Sequence, residues 1–365
     1  MIQRNRPRLS PEAPGVPARR AALRLLDAVL RRGQALEAAL DAAARDLDRR
    51  EDRALAHAIA AAVLRRLPDL DALIDSATPR PLPDDAKARF ALRIALGQAL
   101  VLDTPPHAAI ATVLPLVDGG PRKLVHGVFG TVMRGGKRLP ALPSLPNDVA
   151  SRWRRAWGSA MLAPAARGLS AAPMLDLTLR GAATALDAPS LMPGHRRLEE
   201  SAHVPDLPGF ADGEWWVQDL AASLPARLIG PGPGTVVDLC AAPGGKTLQL
   251  AAAGWNVSAI DVSESRLGRL RDNLARTGLS AEVIAADAFE WAPPAPVDAL
   301  LIDAPCSATG IYRRHPDVLH RVRPEIIAEA AARQTRLFAR AADWVQPGGR
   351  LVYATCSLEP EEGEE

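Results

Sequence analysis

Short apolar segments alternate with helical segments from Trp215 onwards, and this alternation restricts the fold more than any other feature of the chain. The strands that it predicts are Gly234–Leu239, Asn256–Ile260, Ala281–Ile284, Ala299–Ile302 and Gly349–Ala354. The helices that it predicts are Lys246–Ala253, Glu264–Thr277 and Pro324–Trp344. Strands separated by helices and short turns form a mainly parallel sheet that is covered on both faces. We therefore expect an α/β, Rossmann-like domain over residues 216–365.

The first third of the chain has a helical pattern and a basic composition. Apolar residues recur at three- and four-residue spacing in Ala21–Leu30, Leu36–Leu47, Ala54–Leu67, Ala86–Val101 and Ala108–Leu116. Residues 1–140 hold 23 Lys and Arg against 15 Asp and Glu, although the whole chain carries a net charge of only +2. This pattern predicts an all-α domain over residues 17–136 with a polyanionic partner. A helical domain with an Arg-rich solvated face is the alternative.

The remaining segments complete a multidomain organisation. Residues 1–16 are rich in Pro and Arg and lack the apolar core of a signal peptide, so we expect a disordered arm. Residues 137–149 hold three prolines and predict a linker, and the alternating strand Met174–Arg180 places a small α+β subdomain at 150–215. The three cysteines lack CxxC spacing, and no stretch is apolar and long enough for a bilayer. We expect a cytoplasmic monomer that binds no metal and no membrane.

A glycine-rich turn follows the first strand of the predicted sheet, in VVDLCAAPGGKT at 236–247. Small residues let a ligand approach the backbone, and the helix start supplies free N–H donors. Asp261 after the second strand is placed for ribose hydroxyls, and Asp287 after the third for an adenine amino group. Cys240 stands where a phosphate-binding loop needs glycine, and G-x-G-x-x-G is absent. S-adenosylmethionine therefore fits better than a nucleoside triphosphate or a dinucleotide, and a turn that only shapes the strand–helix joint is the alternative.

Two cysteines each follow a short apolar run. Cys306 lies in DAPCSATG (303–310), and Cys356 lies in YATCS (353–357). A thiolate is a strong, soft nucleophile. Two thiols at neighbouring strand ends, near a methyl-donor site, indicate covalent attack on a pyrimidine ring.

Three segments carry a resemblance to a known family: DLCAAPGGKT (238–247), DAPCSATGIYRRHPD (303–317) and YATCSLEPEE (353–362). In sequence, order and spacing they resemble the signature motifs of the RsmB/Sun-type ribosomal RNA cytosine-5 methyltransferases. The helical segment is similar to the NusB-like RNA-binding domain of that family, and 150–215 corresponds to its small RRM-like subdomain. The resemblance implies S-adenosyl-L-methionine-dependent methylation of cytosine carbon 5 in RNA through a covalent cysteine adduct. Small-subunit ribosomal RNA is the expected substrate, and transfer RNA is an alternative.

The resemblance also implies a role for each matched residue. Cys356 would be the nucleophile, with a thiol pKa below the free value of about 8.5. Cys306 would assist release of the product, and Asp303 would contact the base. We expect Arg313 and Arg314 to contact the RNA backbone, while the neighbouring His315 could contact phosphate or cap its loop. The donor pocket would be lined by Cys240, Ala241, Ala242, Pro243, Gly244, Gly245, Lys246, Asp261, Asp287 and Asp303.

One departure from the family pattern concerns the C-terminus. The sequence ends at Glu365, whereas the family continues with a helix and an antiparallel strand pair beside the fifth strand. The resemblance therefore implies a truncated methyltransferase domain with an unprotected edge strand. A non-catalytic RNA-binding factor, in which a NusB-like domain is joined to a decayed methyltransferase fold, is the alternative function. Methylation of an exocyclic amine is disfavoured, because that chemistry uses an Asn/Asp-Pro-Pro-aromatic loop and no thiol.

Overall fold

The computed structural model describes residues 13–181, 184, 186–198 and 203–364, so the predicted arm of residues 1–16 lies mostly outside the described residues. Contacts divide the chain into two compact units. The first unit extends to Ala172 and also contains Ile311–Val322, and the second contains Pro173–Gly310 and the chain from Arg323 onwards. The expected subdomain at 150–215 is therefore divided, its helices grouping with the first unit and its strands with the second. No described α-helix combines the length and the apolar character needed to cross a membrane.

The helices of the described chain follow the predicted pattern closely. They are α1 (Val16–Leu30), α2 (Leu36–Ala43), α3 (Arg50–Arg65), α4 (Leu67–Asp75), α5 (Lys87–Leu100), α6 (Pro106–Val113), α7 (Gly119–Arg134), α8 (Asn147–Trp157), α9 (Leu162–Ser170), α10 (Leu220–Ile229), α11 (Gly245–Ala252), α12 (Glu264–Thr277), α13 (Val318–Arg321) and α14 (Pro324–Ala342). The cluster Gly119–Pro121, whose residue types usually interrupt helices, forms the first turn of α7. A proline is tolerated there because the N–H that it lacks has no partner in the first turn of a helix.

The core of the first unit holds charged residues as well as apolar ones. Arg89 of α5 is 1% exposed, and its guanidinium nitrogens lie 3.0 Å from an Asp71 oxygen and 2.6 Å from an Asp75 oxygen. Arg93 binds Asp71 through two N–O contacts of 2.8 Å each. A buried guanidinium is tolerated when carboxylates and carbonyls satisfy its donors. These two arginines therefore support the fold, and their charge is compensated inside the unit.

The segment Ile311–Val322 packs within the first unit, although the sequence placed it in the methyltransferase domain. The Arg65 guanidinium donates to the Arg313 carbonyl at 2.6 Å, and the buried Asp317 carboxylate accepts from the Leu36 amide at 3.3 Å. His320 Nε2 lies 2.8 Å from the Leu64 carbonyl oxygen. Because buried polar groups need partners, these bonds fix the segment against α3 and the start of α2.

Eight described strands form two sheets in the second unit. The small antiparallel sheet has the order β2-β1-β3, and the parallel sheet has the order β6-β5-β4-β7-β8. The strands are β1 (Leu175–Leu179), β2 (His195–Leu198), β3 (Trp215–Val217), β4 (Thr235–Leu239), β5 (Asn256–Asp261), β6 (Glu282–Ala285), β7 (Val297–Asp303) and β8 (Val345–Ala354). The predicted α/β fold class is confirmed. The strand order reverses at β4, and such a switch point forms a ligand crevice at the carboxyl ends of the strands.

Asp176 of β1 ties the small sheet to α10. Its carboxylate accepts from Arg197 Nε at 2.6 Å, from Arg197 Nη2 at 2.8 Å and from the Leu220 amide at 3.1 Å. Burial raises the pKa of Asp176, but the bonds from Arg197 and Leu220 outweigh burial and bring this pKa down to about 2. The charged form of Asp176 therefore stabilises the fold.

We expect Asp176→Asn to lower the free energy of unfolding at pH 7 by about 2 kcal/mol, because each unit of pKa depression corresponds to about 1.4 kcal/mol. The folded-state pKa lies below the unfolded one, so this stabilisation is present above about pH 5 and is lost as the pH falls towards 2. Urea unfolding of both proteins across this range measures the difference, and Asp212→Asn at an exposed position is the control. A difference that stays constant down to the lowest pH would contradict the assignment.

Candidate active site at the carboxyl ends of the parallel strands

The loop between β4 and α11 lies at the switch point of the sheet. Gly244 has φ +106°, and a Cβ atom at this position would overlap the Leu270 side chain of α12. Glycine is therefore required both by the backbone angle and by the close packing. Asp261 at the end of β5 holds the same loop, since its carboxylate accepts from the Ala242 amide at 3.1 Å and from the Ser263 amide at 2.9 Å. The loop backbone is thus fixed along the crevice.

A cavity of about 190 Å³ opens beside this loop. Three of the predicted donor-pocket residues, Cys240, Asp261 and Asp287, line it together with Phe289 and Arg333. Each carboxylate oxygen of Asp261 accepts one backbone N–H; Oδ2 also lies 3.7 Å from Arg266 Nη1, and Oδ1 keeps a lone pair for another donor. Acidic groups after β5 and β6, an aromatic wall and a glycine turn fit an adenosine group. Arg333 comes from α14, far along the chain, and no local sequence signal indicated it.

The first cysteine, Cys240, belongs to the wall of this cavity. Burial and the nearby Asp261 carboxylate raise the pKa of its thiol to about 12. Since the thiolate is the reactive form, Cys240 is unsuited to nucleophilic attack. The neighbouring Asp238 is fully buried, and burial raises the pKa of its carboxyl to about 7.

Cys306 and Cys356 come together because β7 and β8 are adjacent parallel strands. The Ala304 amide donates to the Ala354 carbonyl at 2.8 Å, and the Gly310 amide donates to the Cys356 carbonyl at 2.8 Å. The two Sγ atoms lie 3.3 Å apart, within hydrogen-bond distance for sulfur. Cys356 is exposed and Cys306 is half-buried. The two motifs, 50 residues apart in sequence, thus form one pair of thiols.

The two thiols titrate as a pair. The hydrogen bond from Cys356 lowers the pKa of Cys306 to about 7, and the same bond raises the pKa of Cys356. The sequence predicted a lowered pKa at Cys356, whereas the structure has it at Cys306. The reason is that the Cys356 S–H stays protonated and stabilises the Cys306 thiolate by donating to it. Loss of the Cys356 proton as well would place two negative charges side by side. Near neutral pH the pair therefore carries at most one thiolate.

Asp303 at the end of β7 lies between the donor loop and the thiols. Its carboxylate oxygen Oδ2 accepts from Lys246 Nζ at 2.7 Å. The Asp303 side chain is 35% exposed, so it is accessible from the crevice, whereas Lys246 is 13% exposed. The pair joins the glycine turn after β4 to the motif that carries Cys306.

The predicted RNA contacts Arg313 and Arg314 lie in the segment that groups with the first unit. The Arg313 side chain is exposed and that of Arg314 is half-buried, as is His315. Contact of these arginines with RNA stays a prediction, and the structure leaves both roles of His315 open. Within the described ranges, no three His, Cys, Asp or Glu side chains group as ligands for a metal ion.

Comparisons with known proteins identify the family. Residues 230–365 match the family described as 16S rRNA methyltransferase RsmB/F, and residues 16–134 match the NusB family. The ribosomal RNA small subunit methyltransferase B of Xylella fastidiosa (strain Temecula1 / ATCC 700964) is 38% identical, over 94% of this chain and 86% of that protein. This chain belongs to the RsmB/F family. The relative of the same name from Xanthomonas campestris pv. campestris is 36% identical, over 95% of this chain and 85% of that protein.

A solved structure supports the fold over almost the whole chain. The crystal structure of PH0851 matches with a TM-score of 0.69 and 23% identity, over 98% of this chain and 88% of that one. The family models and the curated relatives confirm the family that three sequence motifs indicated and the NusB-like nature of the helical segment.

The pairing of the thiols generates a prediction for cysteine reactivity. We expect Cys306 to react with iodoacetamide with a midpoint near pH 7, because the reagent attacks the thiolate. In Cys356→Ala the partner S–H is absent, so the midpoint should rise to about 8.5. Labelling rates of each cysteine peptide, measured by mass spectrometry across the pH range, give both values. A midpoint of Cys306 that is the same with and without Cys356 would contradict the shared hydrogen bond, and Cys240 should stay unlabelled near neutral pH.

Proposed function

We propose that this chain transfers a methyl group from S-adenosyl-L-methionine to carbon 5 of a cytosine in RNA, with small-subunit ribosomal RNA as the substrate. The observation that carries the proposal is the 3.3 Å contact between Cys306 and Cys356 at the ends of adjacent strands. Membership of the RsmB/F family supports it, since the curated relatives are named as ribosomal RNA small subunit methyltransferases. The monomeric state and the cytoplasmic location stay predictions from the sequence.

The donor would be held by the loop after β4 and by the two acidic residues beyond it. Residues 240–246 offer backbone groups along the crevice, Asp261 offers lone pairs for ribose hydroxyls, and Asp287 is placed for the adenine amino group. When bound, the donor supplies the methyl group that carbon 5 accepts. Asp287 is half-buried, and its carboxylate already accepts from the Phe289 amide at 2.9 Å.

The thiol pair supplies the activation that carbon 5 needs. Carbon 5 of cytosine is a poor nucleophile until a thiolate adds at carbon 6 and makes the ring enamine-like. We assign this addition to Cys356, which is the more exposed sulfur. As its Sγ forms the bond to carbon 6, its proton passes to the Cys306 thiolate 3.3 Å away, so Cys306 acts as the base. Cys306 then passes this proton on to ring nitrogen 3 and is again a thiolate beside the adduct.

Asp303 stabilises the charge that develops on the ring, and release of the product reverses the addition. Held by Lys246, the Asp303 carboxylate hydrogen-bonds the ring edge and favours protonation at ring nitrogen 3. After carbon 5 has been methylated, its proton passes to the Cys306 thiolate, the C–S bond breaks with its electron pair returning to Cys356, and the proton on ring nitrogen 3 returns to Cys356. The base must be unstacked to reach this site, which favours loops and helix junctions of RNA.

The helical unit is proposed to bind the RNA backbone. Residues 16–134 match the NusB family, and the first 140 residues carry an excess of eight positive charges. Arg89 and Arg93 are buried and paired, so the attraction for phosphate must come from the exposed arginines and lysines.

Separate roles for the two cysteines lead to opposite mutant behaviour. Cys356→Ala should abolish methyl transfer while leaving donor affinity within about twofold, because its thiol contacts the base and not the donor. In Cys306→Ala the Cys356 thiol should titrate near its free value of about 8.5 and can still attack, but no thiolate removes the carbon 5 proton, so a Cys356 adduct with RNA should persist on a denaturing gel, and the double variant should show none. Methyl transfer by Cys356→Ala above a few per cent of wild type would refute the assignment. Tight donor binding by the wild type without any methyl transfer would favour the non-catalytic binding factor.

The donor site can be tested independently of RNA. We expect Asp261→Ala to weaken S-adenosylmethionine binding about ten- to a hundredfold, because it removes a charged acceptor worth roughly 1.5–3 kcal/mol and frees the loop amides. Calorimetric titration measures the affinity. Asp272→Ala on the exposed face of α12 is the matched control and should bind as the wild type does. Unchanged affinity in Asp261→Ala would place the donor elsewhere.

A further inference from the structure

A buried carboxylate joins the two cysteine loops. Glu362 is 1% exposed and lies in the second unit, six residues beyond Cys356. Its Oε2 accepts from the Ser307 amide at 2.8 Å and from Gln334 Nε2 at 3.0 Å. Its Oε1 accepts from the Ser357 hydroxyl at 2.8 Å and from the Ser307 hydroxyl through a shorter bond. A carboxylate is stable away from water only with such a set of donors.

The two serines that bind Glu362 directly follow the two cysteines. Ser307 is the next residue after Cys306, and Ser357 is the next after Cys356. Their hydroxyl oxygens lie 3.1 Å apart, close to the separation of the two sulfurs. Because each serine shares a peptide bond with its cysteine, a common acceptor for the serines restricts the distance between the thiols.

Further contacts join the two cysteine loops to each other and to α14. Gln334 of α14, besides binding Glu362, donates to the carbonyl of Pro305, the residue before Cys306, at 2.9 Å. Gly310 packs so closely on the Cys356 carbonyl that a Cβ atom would overlap it. Glu362 is therefore the point at which α14, the Cys306 loop and the Cys356 loop share hydrogen bonds.

We propose that Glu362 is a positioning residue for methyl transfer, which holds the Cys306 and Cys356 thiols at hydrogen-bond distance by accepting bonds from Ser307 and Ser357. It touches neither thiol, so it acts through the two serines. The effect on catalysis rests on the function proposed above, whereas the effect on thiol reactivity does not.

Removal of the carboxylate should separate the thiols without touching the donor pocket. We expect Glu362→Ala to lower kcat for RNA methylation about a hundredfold, since small displacements of reacting groups have effects of that size. Donor affinity should stay within about twofold, because the cavity residues are not bonded to Glu362. The alkylation midpoint of Cys306 should rise from near pH 7 to about 8.5, because the shared hydrogen bond is lost.

A conservative variant distinguishes positioning from a general need for this side chain. In Glu362→Gln the amide oxygen can accept from the Ser307 amide and from Gln334, while its NH₂ group donates to the serine hydroxyls, which also accept. This variant should keep kcat within about fivefold of the wild type and the alkylation midpoint near pH 7. Glu361→Ala, at the exposed neighbour, is the control and should match the wild type in every measurement.

The decisive comparison is between folded variants in both assays, with folding checked by circular dichroism. If Glu362→Ala folds and keeps the wild-type midpoint and kcat, or if Glu362→Gln falls as far as Glu362→Ala, the proposal is wrong. If Glu362→Ala does not fold, Ser307→Ala is the deciding variant, because it removes one of the hydroxyl donors to Glu362. The Cys306 alkylation midpoint of Ser307→Ala should then lie between those of the wild type and a free thiol. An unchanged midpoint overturns the proposal. If even the wild type methylates no RNA, the proposed function fails, and the alkylation midpoints alone still decide the role of Glu362.

Discussion

The site depends on one hydrogen bond between two thiols, and that bond exists because two parallel strands end side by side. β7 and β8 each lead into a loop that carries a cysteine, and the sulfurs meet at 3.3 Å. A single thiol in a half-buried position would be mostly protonated at neutral pH. The shared bond makes one thiolate available near pH 7, next to a second sulfur that can give up its proton. The rest of the second unit serves to bring this pair to the donor crevice at β4.

The Cys306 loop is anchored within the second unit. At its start β7 fixes Asp303, which is bonded to Lys246 of the donor loop. Further along, the Pro305 carbonyl accepts from Gln334 Nε2, and the Gly310 amide donates to the Cys356 carbonyl. Such anchoring restricts the conformations of a loop that must meet a base in one orientation.

The sequence predicted those elements whose structure follows from a local pattern of residues. Strands β4 to β8 were predicted to within a few residues, because buried parallel strands are short apolar runs bounded by turns. The grouping of residues 150–172 with the helices could not be read from the sequence, since it depends on packing such as that of the Trp153 ring on Tyr312, with centroids 5.5 Å apart. The same holds for Arg333 and Glu362, whose neighbours in space are distant in sequence. The sequence also could not predict that Cys306 has the lower pKa of the two thiols, because this difference arises from the contact between them.

The net charge of the first 140 residues does not distinguish buried cations from exposed ones. Arg89 and Arg93 contribute to the basic excess of the first 140 residues, yet both are buried against carboxylates. The composition therefore indicated a polyanionic partner as a hypothesis, but it could not say which cations face solvent. Only the fold separates the arginines that stabilise the helical core from those that are exposed.

The central claim is that Cys356, and not Cys306, is the sulfur that attacks carbon 6 of the base. The most direct measurement uses RNA in which the target cytosine carries fluorine at carbon 5, so that methylation proceeds but the adduct cannot be released by loss of a proton. Digestion of the trapped complex and mass spectrometry identify the attached cysteine peptide. The account predicts a nucleotide with one added methyl group bound to Cys356. Attachment at Cys306, or methylated RNA without any cysteine adduct, would contradict it.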